Sequence, residues 1–284
     1  PAHNEGRYIV ETIESVIRQT VLPSCWVIVD DGSTDDTAAI VQSYARRHGF
    51  IRYHGRRRDA TQTYFASNVY AIMEGVAQVA ALDYDFIAVL DADITLPADY
   101  YAQILARFEA EPTLGVASGI YENLVNGKLE KVLNDRRSTP KAIQVFRRAC
   151  FEAIGGYVPL RHGGEDTCAC VMARMNGWKS WSFPEVKVVH RRPTGTGNAR
   201  TLLRARLATH PLFMLVKSMR RSILERPVIL GGMLRLAGYV YGFFKHEPRQ
   251  MPPEAVSYIR RDQFRRVVGL NRVARENRIR VGDL

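Results

Sequence analysis

The sequence predicts an α/β fold: a mostly parallel sheet with helices on both faces, followed by a helical C-terminal extension. Three observations lead there. Strands and helices alternate from Ile9 to Ser118, the pattern of a doubly wound layer. The run Phe86-Ile87-Ala88-Val89-Leu90 is continuously apolar, which suits a strand buried on both faces of a parallel sheet. Two strands end in carboxylates, Asp30-Asp31 and Asp91-Ala92-Asp93, and open α/β sheets bind ligands at the carboxyl ends of their strands.

Taken in order, Pro1 to Gly6 is a loop, and Ile9, Val10, Ile13, Val16 and Ile17 recur at helical spacing. Trp26 to Val29 is a buried strand, and a helix runs from about Asp36 to Arg47. Ile51 to Tyr53 is a short strand, leading through a basic loop, Gly55 to Asp59, to a helix over roughly Ser67 to Ala80. After the Phe86 strand come a helix from about Ala98 to Glu109 and a strand at Gly115 to Ser118. Asn126-Gly127, flanked by Tyr121 to Val125 and Lys128 to Val132, signals a hairpin. Ala142 to Phe146 is expected as a strand and Arg148 to Ile154 as a helix closed by Gly155-Gly156. Gly163-Gly164-Glu165-Asp166 opens a helix through Met175, and Trp181 to Phe183 and Val186 to Val189 are strands with His190 directly after.

The formal charge is +11 over 284 residues, and it is unevenly spread. Glu185 to Leu284 carries 21 Lys/Arg against 7 Asp/Glu, net +14, while residues 1–184 are net −3. A basic tail of this kind suits nucleic acid, anionic membrane or acidic substrates. Cys25, Cys150, Cys168 and Cys170 lack zinc-type spacing, and Cys168-x-Cys170 has only one residue between its thiols. Reduced core thiols favour a cytoplasmic location. No signal peptide is visible.

Asp91 and Asp93 repel each other unless a cation lies between them, and Mg²⁺ or Mn²⁺ prefers such oxygen donors. The plainer alternative is a turn in which Asp91 caps a helix begun by Pro97. Asp30 and Asp31 have the same alternative, a turn plus an N-cap.

Together, Pro1-Ala2-His3-Asn4-Glu5, Asp30-Asp31-Gly32-Ser33, Asp91-Ala92-Asp93, Gly155-Gly156-Tyr157, Gly164-Glu165-Asp166 and His190 resemble the family-2 glycosyltransferases and their GT-A, Rossmann-like fold. The resemblance covers residues 1 to about 190, leaving 191–284 as the basic extension. It implies a metal-dependent, inverting transfer of a sugar from a nucleotide-diphospho-sugar, a UDP- or GDP-sugar, to a glycan or lipid-linked glycan acceptor. Negative charge develops on the departing diphosphate, so a divalent cation, Mn²⁺ or Mg²⁺, is needed to hold it. By resemblance Asp93 is the principal metal ligand and His190 a third one. Asp91 contacts the ribose or the metal, and Ala92 belongs to the same donor-binding turn. Asp30 and the segment Ala2, His3, Asn4 and Glu5 contact base and ribose. Asp166 matches the general base that takes the acceptor proton, with Glu165 as its local alternative and a simple N-cap as the plain reading.

Three departures accompany the resemblance. The family's first strand would precede Pro1, and its absence would leave an open slot in the sheet. The region Gly55–Asn68 lacks the usual Lys/Arg-Gly loop, so Arg56, Arg57 and Arg58 either reach the diphosphate or form a solvated charge run. The loop Thr194 to Asn198 is either a lid or a surface linker. In the tail, Arg200 to Arg221 forms one or two helices. Val228 to Phe244 is apolar apart from Arg235, but shorter than the ~20 residues a membrane span requires. It is either a helix packed on the catalytic domain or an interfacial helix on anionic headgroups at the inner face of the membrane. Two other functions compete. A sugar-phosphate nucleotidyltransferase needs a Gly-rich basic loop that Pro1 to Gly6 does not supply. A nucleic-acid-binding protein needs aromatics interleaved with arginines, whereas Tyr239, Tyr241, Phe243 and Phe244 lie in an apolar block.

Overall fold

The computed structural model describes residues 1–132, 135–161, 163–192, 210–224, 237 and 251–269. They divide into two compact units, Pro1–Thr194 and Gly195–Leu284.

The first unit is a mixed α/β layer. Helix α1 (Ile9–Ile17) leads to β1 (Trp26–Asp31), α2 (Thr37–Arg47), β2 (Ile51–Arg56) and α3 (Tyr64–Val79). Next come β3 (Phe86–Ala88), β4 (Ile94–Thr95), α4 (Tyr100–Ala110), β5 (Leu114–Val125) and β6 (Lys128–Lys131). A 3₁₀ turn at Lys141–Ile143 precedes β7 (Val145–Arg147), α5 (Arg148–Ala153), α6 (Glu165–Met175) and β8 (Lys179–His190). β1 and β2 pair in parallel as a two-stranded sheet, and a second sheet has the order β3-β7-β5-β8-β4 with β6 on β5.

The expected elements are present, with instructive differences. The α/β class holds, but among the described strands only β1–β2 and β5–β8 pair in parallel; β3–β7, β5–β7, β5–β6 and β4–β8 are antiparallel. Alternating hydrophobic runs specify burial and not strand direction, so the mixed character left no mark in the pattern. Residues 142–146 do not form one strand, because the 3₁₀ turn occupies Lys141–Ile143 and β7 starts at Val145. The four short strands expected at 115–118, 121–125, 181–183 and 186–189 are two long ones, β5 and β8. The β5–β8 register shifts between Ser118 and Ile120. Gly119 sits at that shift, where an added Cβ would come within 2.2 Å of the Val186 carbonyl oxygen. The hairpin turn is as predicted: Val125 pairs with Lys128, and Asn126 and Gly127 take φ of 49° and 76°.

The Phe86 strand is not buried on both faces. Ala88 is exposed and Phe86 and Ile87 are half-buried, because a cavity of about 460 Å³ lies between β1 and β3. Trp26, Val27, Val29, Ile87, Ala88 and Val89 are among its lining. At one end Ala2 bridges in parallel to Asp30, donating its N–H to Val29 O (2.8 Å) and accepting from Asp31 N (2.8 Å).

Three apolar clusters hold the unit. Ile9 and Ile13 of α1 join Ile28, Val41 and Ile51; Tyr100, Ile104 and Phe108 of α4 join Leu114, Val145 and Val188. The third brings Val69 and Ile72 of α3 against Phe146, Phe151 and Tyr157. Each such buried side chain contributes about 1.5–3 kcal/mol.

In the second unit α7 (Pro211–Leu224) and α8 (Pro253–Val267) are described. Met214 and Ser218 of α7 and Ala255, Val256 and Ile259 of α8 are buried. The His210 N–H donates to Gln263 Oε1 (2.7 Å), and its ring meets Phe264 at 5.5 Å. The segments 194–198 and 228–244 singled out in the sequence lie outside the described residues, apart from Ala237.

Candidate active site

The amino-terminal loop is stitched to the turn after β1. The Glu5 N–H donates to Thr37 Oγ1 (2.8 Å), and Asn4 Oδ1 accepts from Thr34 N (2.8 Å). Asn4 takes φ 55° there, a conformation asparagine tolerates better than most residues. The His3 ring donates through Nδ1 to the Asp31 carbonyl (2.8 Å). Asp30 accepts from Ser33 N (3.0 Å) and from the Tyr53 hydroxyl (3.1 Å), so it both closes its turn and faces β2. Asp31 is buried and ion-paired with Arg56; it also accepts from Ser67 Oγ (2.6 Å) and meets Arg58 at 3.5 Å. Arg56 and Arg58 therefore neutralise a buried carboxylate and are not a solvated charge run. Ala2 and Ala92 are buried in one cluster with Ile9 and Ile13. Thr12 Oγ1 donates to the Ala92 carbonyl (2.8 Å), so both alanines pack into the core beneath their turns.

The two strand-end aspartates go different ways. Asp93 Oδ1 lies 3.2 Å from His190 Nε2, and both side chains are at most a tenth exposed. The antiparallel register that pairs Ile94 with His190 delivers them to one another. Asp91 Oδ1 instead accepts from Lys141 Nζ (2.7 Å), whose ammonium also donates to Asn68 Oδ1 (2.7 Å). Burial by itself would raise the Asp91 carboxyl, but the Lys141 ammonium holds it below the usual range. Lys141 is likewise pushed down by burial and lifted above its ordinary value by Asp91.

Arg192 reaches back to the amino-terminal loop. It pairs with Glu5 Oε2 (2.5 Å), approaches Asp93 Oδ2 (3.8 Å) and lies over the Tyr8 ring. Burial raises Glu5 to about 7, against the pull of Arg192 and helped by the charge on Asp93.

Glu165 and Asp166 begin α6 after Gly164, whose φ of 94° suits glycine. Asp166 accepts from the Thr167 N–H (2.6 Å), a bond that favours its carboxylate form. Burial nevertheless raises Asp166, the direction a proton acceptor working near neutrality needs. Glu165 is more deeply buried, its Oε2 lacks a hydrogen-bond partner, and burial raises it too.

A carboxylate and an imidazole facing each other fit one Mn²⁺ or Mg²⁺ that takes its remaining ligands from diphosphate oxygens and water. Asp93 and His190 are that pair; Asp91 is engaged elsewhere, and no cluster of three His, Cys, Asp or Glu occurs among the described residues. His190 Nδ1 is buried without a partner, so the ring is oriented by Asp93 and by edge contact with Tyr121 at 5.2 Å. Lys141, Arg192, Asn68 and Tyr53 were not singled out from sequence. Arg192 stands two residues after His190, which was its one available signal; Lys141 had none.

Similarity to known proteins agrees with this layout. The chain is 27% identical over 119 residues to a poly-β-1,6-N-acetyl-D-glucosamine synthase of Staphylococcus epidermidis, covering 41% of this chain and 26% of that protein. It is 43% identical over 53 residues to a chondroitin synthase of Escherichia coli, 19% of this chain and 8% of that one. It thus spans about a quarter or less of these relatives' length. Among solved structures, S. aureus TarS residues 1–349 with UDP-GlcNAc superposes with a TM-score of 0.55 at 16% identity, over 87% of this chain and 72% of that one. A mannosyltransferase from Pyrobaculum calidifontis with GDP-Man and Mn²⁺ does so with a TM-score of 0.55 at 17% identity, over 97% and 80%. These share the GT-A fold. The pattern of glycosyl transferase family 2 matches residues 1–164, more than half of the sequence and every site element up to the turn before α6; by that match the chain belongs to glycosyltransferase family 2.

Proposed function

We propose that this chain is a metal-dependent, inverting glycosyltransferase that moves a sugar from a UDP- or GDP-sugar to an acceptor hydroxyl in polysaccharide or glycolipid synthesis. One observation carries the reading: Asp93, beyond the Phe86 strand, faces His190 at 3.2 Å with Arg192 3.8 Å from its other oxygen, a charged group at the strand ends where α/β folds bind ligands. The relatives' substrates point the same way, since TarS holds UDP-GlcNAc and the Pyrobaculum enzyme holds GDP-Man with Mn²⁺.

Asp93 and His190 would hold the divalent cation, which supplies positive charge to the departing diphosphate. Asp30, with Tyr53 behind it, and the His3–Glu5 loop would bind base and ribose. Asp166 takes the acceptor hydroxyl's proton as that oxygen forms its bond to the anomeric carbon. The bond from that carbon to the diphosphate breaks, and its electron pair leaves with the nucleotide. One base and one direct displacement invert the anomeric centre. Glu165, more deeply buried, is the alternative base. The test is incubation with UDP- and GDP-sugars and Mn²⁺, following nucleoside diphosphate release; release abolished by EDTA and restored by Mn²⁺ is expected. No release from any sugar nucleotide would overturn the reading.

We further propose that the basic C-terminal part attaches to an anionic membrane surface at the inner face. Among the described residues no helix is long and apolar enough to cross a membrane. Helix α7, however, carries Leu212, Leu215, Val216 and Met219 exposed on one stripe, beside Lys217, Arg220 and Arg221 in sequence. The aromatic block that weighed against nucleic acid lies outside the described residues.

A further inference from the structure

Lys141 is a buried lysine that the assigned chemistry does not require. Its side chain is 13% exposed, and it stands in the 3₁₀ turn joined to the end of the Phe86 segment. That junction is rigid: Val89 N donates to Gln144 O (2.8 Å) and Asp91 N donates to Ala142 O (3.0 Å). The ammonium is fixed from two directions, by Asp91 Oδ1 and by Asn68 Oδ1 of α3, each at 2.7 Å. An ammonium on one carboxylate oxygen repels a divalent cation from the same group, because like charges at hydrogen-bonding range are unfavourable in a poorly solvated site. Asp93, two residues away, faces His190 at 3.2 Å, and its own cationic neighbour, Arg192, stands further off, at 3.8 Å from the other oxygen.

We propose that Lys141 is a positioning residue that divides the labour of the two aspartates: it keeps Asp91 out of the metal's coordination sphere and turns its free oxygen toward the sugar of the donor. Asp93 is thereby left to the metal and the diphosphate. This rests on the nucleotide-sugar reading above.

The experiment compares two probe pairs, UDP with UDP-GlcNAc and GDP with GDP-mannose, each titrated calorimetrically in Mn²⁺ against the full chain. For whichever pair the wild type binds, Lys141→Met is expected to leave nucleoside diphosphate affinity within about threefold. It should weaken the sugar nucleotide about tenfold or more, the range for losing a hydrogen bond to a charged group. Asn68→Ala, which only loosens the ammonium, should move in the same direction by a smaller factor and guards against a Met variant that does not fold. In an Asp91→Asn background the Lys141→Met change should have little further effect on sugar-nucleotide binding. Equal loss for diphosphate and sugar nucleotide would place Lys141 on the phosphates and overturn the proposal, as would fully additive effects of the two substitutions. A wild type that binds neither pair would overturn the nucleotide-sugar reading itself, and this role with it.

Discussion

Asp93 and His190 meet at 3.2 Å, carboxylate oxygen to imidazole nitrogen, where the two residues of β4 pair with the last two of β8. They are 97 positions apart in the chain, yet one antiparallel register sets their geometry. Asp93→Ala is expected to abolish Mn²⁺-dependent binding of a nucleoside diphosphate while leaving the fold intact. Calorimetry with and without Mn²⁺, alongside circular dichroism, checks both halves. Unchanged metal-dependent affinity would remove Asp93 from the role.

Asp166 should matter to chemistry more than to binding. Asp166→Asn retains an oxygen that can accept from the Thr167 N–H, so the start of α6 should survive. Turnover should fall about 10²-fold or more, as for loss of a general base, with donor affinity little changed. If turnover persists, the base is Glu165 or lies elsewhere.

Glu5 gives the first unit a pH signature. Its carboxyl is raised from the ordinary 4.5 to about 7, chiefly by burial. Between those values the folded chain keeps a proton that the unfolded chain has released, so Glu5 makes stability fall as pH rises through that window. Glu5→Gln removes the ionisation. The variant's melting temperature should match the wild type's near pH 4.5 and gain on it progressively up to about pH 7, each kcal/mol appearing as about 2–4 °C. A constant difference across this range would show that the Arg192 pair fully offsets the burial.

Much of this was legible in the sequence because the informative groups are local. The Asp30 and Asp91 turns announce themselves as carboxylates after apolar strands, and Asn126-Gly127 is a turn whatever surrounds it. The fate of each carboxylate was not legible. Asp91 and Asp93 are indistinguishable in a three-residue motif; they differ because Lys141 and Asn68 approach one and His190 the other, from 23 to 97 residues away. The long strands β5 and β8 were read as fragments because Gly119 and Pro184 interrupt the apolar pattern where the strands shift register and continue.

The C-terminal part makes the last prediction. Met214 and Ser218 turn one side of α7 inward, while Leu212, Leu215, Val216 and Met219 are 40–62% exposed on another. These four recur at positions i, i+3, i+4 and i+7, one stripe of a helix. A stripe of that size is marginal alone, but residues 185–284 are net +14, and each basic residue near an anionic surface adds about 1 kcal/mol. Insertion and charge together give reversible attachment without a span. The full chain should co-sediment with phosphatidylserine-containing vesicles at low salt and release as salt rises, because screening shortens the electrostatic reach. Leu215→Glu with Met219→Glu should cut binding sharply and leave nucleotide affinity unchanged. Binding that survives both substitutions yet stays salt-sensitive would mean charge alone holds the protein there. Absence of binding in the wild type would mean that the stripe is covered by protein.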